Sequence, residues 1–85
     1  MDKVIKVILL TNNQKLISEI VEIGADIGEP DCKLIEPFEI SKGHSLLSWM
    51  IDETNQTEFM ISSDKIITLA DPNSELLEKY YQLTK

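Results

Sequence analysis

The chain has 85 residues, which is enough for one domain, and a formal net charge of −7. One cysteine excludes an internal disulfide, and with a single histidine it leaves too few ligands for the usual structural zinc site. Fifteen acidic residues outweigh eight lysines, with no arginine, a balance that argues against strong binding to a phosphate backbone over the whole surface.

Size and hydropathy add two expectations. A domain this small buries only about 60% of its unfolded surface, and association with further subunits is a common source of extra stability. The longest apolar run, residues 7–10, is far shorter than the roughly 20 residues that span a bilayer. The N-terminus lacks the apolar core of a signal peptide, so the sequence predicts no membrane association and a reducing, cytoplasmic compartment.

Residues 3–10 are predicted to form a strand that is covered on both faces. One face carries Ile5, Val7 and Leu9, and the other carries Val4, Ile8 and Leu10. Apolar, β-branched runs of this kind are typical of buried strands. Asn12 and Asn13 follow as a turn signal, because asparagine tolerates positive φ.

Residues 14–23 fit two interpretations. Apolar residues recur there at helical spacing, Asn13 could cap a helix, and Gly24 could end it. As a strand, the segment would place Ile17, Val21 and Ile23 on one face, which Glu19 would interrupt. The periodicity alone slightly favours the helix, and both interpretations stay open.

A loop with two glycines, residues 24–31, leads into a half-buried strand over residues 32–40. Cys32, Leu34 and Phe38 share its apolar face. Pro37 removes one backbone donor, which predicts that this strand lies at a sheet edge or contains a bulge. Residues 59–61 and 66–70 are predicted to be two further strands, joined as a tight hairpin by residues 62–65.

The clearest helix covers residues 72–83. Asp71 is the predicted cap, and Pro72 suits the first helical position. Its apolar stripe consists of Leu76, Leu77, Tyr80 and Tyr81. Residues 1–85 are therefore expected to form a single domain, with strands within residues 3–70 and the helix after them.

The sequence predicts no enzyme, no cofactor, no metal site and no small-molecule substrate. His44 has no partner for acid–base work, and Cys32 falls in phase with core residues, where a thiol is inert. No glycine-rich phosphate loop is present, because the three glycines lack the required spacing.

Several segments together resemble the small Sm-like proteins of marine cyanophages. The opening strand pair and the segment Lys65-Ile66-Ile67-Thr68-Leu69 are similar to parts of the first and second Sm motifs. The likeness continues through residues 36–40, 47–49, 59–61 and 67–72. Asn12-Asn13 and Ser18 stand at positions where Sm proteins commonly have glycine.

The resemblance implies a strongly bent, five-stranded open barrel, here mainly β and followed by a C-terminal helix, and it turns residues 14–23 into a strand. It also implies a homo-oligomeric ring through edge strands 58–62 and 66–70, and binding of RNA or DNA in nucleic-acid processing, in a host cell if the protein is phage-encoded. The residues expected near the nucleic acid are Lys42, His44, Ser62, Ser63, Asp64 and Lys65. The alternative is a ring that acts as a protein-interaction scaffold without nucleic acid.

Overall fold

The computed structural model describes residues 3–84, which form one antiparallel sheet of six strands and a C-terminal helix. The elements are β1 (Ile5–Leu10), β2 (Lys15–Glu22), β3 (Cys32–Ile40), β4 (Leu46–Ser48), β5 (Glu58–Ile61), β6 (Ile66–Ala70) and α1 (Ser74–Leu83). Two short 3-10 turns, Lys42–His44 and Ser63–Lys65, precede β4 and β6. The predicted mainly-β fold with a C-terminal helix is confirmed.

The sheet has five strand positions, as predicted, although six strands occupy them. β2 pairs along nearly the whole of one side of β3, so β4 and β5 must share its other side. β1 lies between β2 and β6. The sheet therefore runs from β4 and β5 at one edge, through β3, β2 and β1, to β6 at the other edge.

The predicted hairpin between residues 59–61 and 66–70 is wrong. Within residues 3–84, β5 pairs with β3 and β6 pairs with β1, so these consecutive strands lie at opposite edges of the sheet. Only residues 62–65 connect them. Four residues span little distance, so the two edges approach each other and the sheet curls into an open barrel.

Residues 14–23 are a strand, as the family resemblance implied, and the helical interpretation is wrong. Leu16, Ile17 and Ser18 are consecutive and each has no exposed surface. Ile17 faces the helix side of the sheet, while Leu16 faces the barrel interior. Burial on both faces removes the polar–apolar alternation of an ordinary strand, and this explains the misleading pattern.

A bulge bends β3 at Glu36 and Pro37. Ile17 pairs with Phe38 and Glu19 pairs with Ile35, so two residues of β3 oppose Ser18 alone. Glu36 has a φ of +53°, in the left-handed region. The prediction that Pro37 marks a sheet edge or a bulge is confirmed, because Pro37 lies at the bulge.

Tyr80 of α1 closes this bulge. Its hydroxyl donates to the Ile35 carbonyl at 2.9 Å and accepts from the Glu19 N–H at 3.1 Å. Because Tyr80 is only 2% exposed, burial raises the pKa of its phenol to about 12. The tyrosine thus joins β2 to β3 where their direct pairing is interrupted.

The strain at Glu36 gives a first testable prediction. Glu36→Gly is expected to stabilise the domain by about 0.5–1 kcal/mol, because glycine adopts positive φ without the clash of a Cβ. Urea unfolding measures the change. Glu36→Ala, which keeps the Cβ while removing the carboxylate, is the control, and equal stabilisation by both variants would contradict the prediction.

Two apolar clusters lie on opposite faces of the sheet. One consists of Ile5, Ile17, Leu76 and Tyr80, between the sheet and α1. The other fills the barrel interior and consists of Ile8, Leu10, Leu16 and Leu34. As predicted, β1 is buried on both faces and the helix packs Leu76, Leu77 and Tyr80 on the sheet, whereas Tyr81 of the predicted stripe is 43% exposed.

The helix begins two residues later than predicted. Asn73, not Asp71, is its cap, and the Asn73 side chain accepts from the Leu76 N–H at 2.9 Å. Asp71 instead forms an ion pair with Lys6 of β1. Within residues 3–84, no helix is long and apolar enough to cross a membrane.

Candidate functional site

Both edges of the sheet expose apolar side chains. Met60 on β5 is 50% exposed, and Ile67 and Leu69 on β6 are 57% and 45% exposed. The outer backbone groups of β5 and β6 have no strand partner among residues 3–84. An unpaired strand with apolar side chains is a strong template for pairing with another chain.

The predicted site residues 62–65 form the connection between these edges. Asp31, at the end of the β2–β3 loop, accepts from both the backbone N–H and the hydroxyl of Ser63, each at 2.7 Å. The Ser63 hydrogen bonds hold the pKa of the Asp31 carboxyl below its usual range. Ser63 therefore fixes the connection to the loop, and Asp64 and Lys65 beside it are exposed.

Removal of this contact has a predictable pH dependence. A carboxyl with a lowered folded-state pKa adds stability above its unfolded pKa of about 3.9, and loses it as pH falls through the folded value. The urea midpoint of wild type is therefore expected to exceed that of Asp31→Asn above about pH 5, and the difference should close as pH falls below the unfolded pKa. A pH-independent gap would show that the carboxylate is not involved.

Lys42 and His44 lie in the other 3-10 turn, between β3 and β4. His44 and Gly43 have positive φ values of 60° and 74°, and the His44 carbonyl accepts from the Lys79 amine at 3.2 Å. Both predicted side chains are exposed. They line a depression together with residues 12–15 of the β1–β2 turn.

The β1–β2 turn lies between the two predicted groups. Its Thr11 N–H donates to the Lys65 carbonyl at 2.9 Å, while Asn12 and Asn13 line the depression beside Lys42. Asn13 has a φ of 70°, a left-handed conformation that asparagine tolerates in tight turns. No hydrogen bond or ion pair within residues 3–84 joins residues 42–44 directly to residues 62–65.

Ion pairing separates the lysines into two groups. Lys6, Lys33 and Lys79 pair with Asp71, Glu58 and Glu75. Lys3, Lys15, Lys42 and Lys65 form no ion pair with another residue of 3–84, and the last three flank the β1–β2 turn. Lys15 was not among the predicted site residues, because in the sequence it is only the first residue of a strand.

The remaining reactive groups have structural surroundings. Cys32 is 5% exposed, and burial raises the pKa of its thiol, which suits packing rather than nucleophilic attack. No three His, Cys, Asp or Glu side chains in the part of the chain that the structure describes come together as a metal site.

The geometry is that of a small open β-barrel with two free edges. The chain belongs to a family of unknown function (DUF6561), whose model matches residues 3–85. No curated protein matches the chain at a significant level.

Proposed function

We propose that the protein is a ring-forming, Sm-like module whose copies join through β5 of one and β6 of the next. The observation that carries the proposal is the pair of free edges, which lie on different strands of one sheet. Edges on two different strands make a head-to-tail contact, and such contacts close into a ring when the rotation between copies allows it.

The two edges are matched in length and chemistry. β5 has four residues and β6 has five, so an antiparallel pair would satisfy the backbone groups of both. Met60, Ile67 and Leu69 would lose much of their exposure in this contact, and apolar burial contributes about 25 cal/mol per Å². Light scattering tests the assembly directly, since a ring has a mass several times 9.7 kDa. A constant 9.7 kDa particle at high concentration would refute it.

Nucleic-acid binding is the function that we propose for this ring. It is supported by Lys15, Lys42 and Lys65, whose amines are free to contact phosphates. The exposed imidazole of His44 lies beside them. A ring would repeat this set once per copy around one face and so concentrate positive charge on an otherwise acidic molecule. Asp64 and Glu39 lie close to these lysines, so we expect binding to require low salt.

A lysine-to-alanine series tests this function. The variant Lys15→Ala/Lys42→Ala/Lys65→Ala is expected to lose oligonucleotide binding. For wild type, the logarithm of the binding constant should fall by about 0.7–0.9 per tenfold rise in salt concentration for each phosphate contact. Fluorescence anisotropy at low salt is the measurement. The control Lys6→Ala/Lys33→Ala/Lys79→Ala carries the same charge change at lysines that already have acidic partners.

The scaffold alternative has a distinct outcome. If wild-type rings form but bind neither RNA nor DNA at low salt, the lysine surface is not a phosphate-binding site. The acidic balance of the chain then favours a protein partner, as a net charge of −7 repels polyanions. A partner retained after nuclease treatment would support that reading.

A further inference from the structure

The β2–β3 loop presents a fully exposed isoleucine in an ordered turn. Ile27 has a relative exposure of 106%. The turn around it is fixed by the Glu29 N–H, which donates to the Asp26 carbonyl at 3.0 Å, and by Gly28 with a φ of 88°. Because the turn is already ordered, an exposed apolar side chain on it can bind in a cavity of another molecule at a small entropic cost.

The base of this loop is fixed beside the β5 edge. The Ile23 N–H donates to the Asp31 carbonyl at 3.0 Å, and the Asp31 side chain holds Ser63, two residues beyond β5. Cys32 pairs directly with Ile61, the last residue of β5. A molecule that pairs with β5 therefore meets the loop at the same end of the strand.

The β6 edge borders an apolar depression of about 650 Å³. The apolar residues that line it are Val4, Ile20, Cys32, Ile66, Ile67 and Leu69. Its polar lining residues are Lys6, Glu22, Ser63 and Thr68, and Lys3 precedes Val4 in the chain. The depression lies against β6, the strand that the proposed ring would pair with the next copy.

We infer that Ile27 of one copy fills the depression beside β6 of the neighbouring copy; this inference rests on the proposed ring. Antiparallel pairing of β5 with the neighbour's β6 places Ile61 near the neighbour's Ile66, which brings the loop base to the mouth of the depression. Asp26 and Glu29, on either side of Ile27, complement the positive charge of Lys3 beside Val4, while Lys6 is already paired with Asp71. A side chain in a cavity fixes the pairing register, which backbone hydrogen bonds alone leave free to slip.

Site-specific crosslinking tests the contact. In a Cys32→Ala background, a tagged Ile27→Cys chain is co-expressed with an untagged Ile67→Cys chain, so a disulfide between the two must join different copies. Mild oxidation is expected to give a tagged–untagged dimer on a non-reducing gel. The control pairs Ile27→Cys with Glu78→Cys, on the exposed face of α1, and should give none.

The outcomes separate this inference from the ring itself. Wild-type rings without the 27–67 disulfide, or with equal crosslinking to position 78, would overturn the role of Ile27 and leave the ring standing. A monomeric wild type would overturn both. Ile27→Asp gives a second readout, with association expected to weaken by about 10–100-fold, and an unchanged mass profile on dilution would contradict the inference.

Discussion

Ile67→Lys/Leu69→Lys is expected to convert the proposed ring into 9.7 kDa monomers that remain folded. Both side chains are about half exposed in the isolated chain, so lysine can extend into water there at little cost to folding. In a β5–β6 contact the same lysines would have to be buried and desolvated. Charged side chains on edge strands are a common way for proteins to prevent edge-to-edge pairing.

A charge-matched control separates edge pairing from net charge. Tyr81→Lys/Leu83→Lys adds the same two charges on α1, at positions that are 43% and 54% exposed. Light scattering should report the wild-type mass for this control and the monomer mass for the β6 variant. Loss of assembly in both variants would show that overall charge, and not the β6 edge, governs association.

Tyr80→Ala is expected to lower the free energy of unfolding by about 3–5 kcal/mol. This is a large part of the roughly 5–10 kcal/mol that stabilises a domain of this size. The ring of Tyr80 packs with Ile5, Ile17 and Leu76 and meets Phe38 edge-on, with 5.9 Å between ring centroids. Its removal opens a cavity beneath the helix. Urea unfolding in the monomeric β6 variant keeps assembly from contributing to the measured stability.

Tyr80→Phe separates the hydroxyl from the ring. The Glu19 N–H would lose its acceptor, and an unpaired buried donor costs about 1–3 kcal/mol. Tyr81→Phe is the control, because Tyr81 is 43% exposed and should change stability by less than about 0.5 kcal/mol. Equal effects of the two substitutions would mean that the bulge does not need the Tyr80 hydroxyl.

Local signals predicted the elements better than their partners. The apolar run of β1 and the stripe of α1 identify a doubly covered strand and a packed helix because each pattern depends only on nearby residues. The polar segment 62–65 identifies a turn equally well. It carries no information on whether the strands beside it pair with each other or with β3 and β1, which the curvature of the whole sheet decides.

The candidate site shows the same division. Lys42, His44 and Lys65 were predicted as site residues from the family resemblance and from their place in predicted loops, and the structure shows that all three are exposed. Lys15 was missed because its place beside Lys42 arises only when the β1–β2 turn folds next to the second loop. In the sequence, Asp31 is indistinguishable from a solvated loop charge. Its hydrogen bond with Ser63 joins residues 32 positions apart, so no local pattern predicts it.

The pairing of β1 with β6 has a consequence for synthesis on the ribosome. β1 emerges first, yet its β6 neighbour and the helix that covers Ile5 lie within residues 66–84. A nascent chain must therefore keep an apolar strand unpaired on one side until almost all of the described sequence has been translated. Such delayed, long-range closure favours capture by chaperones, or premature contact with another nascent copy, over folding during elongation.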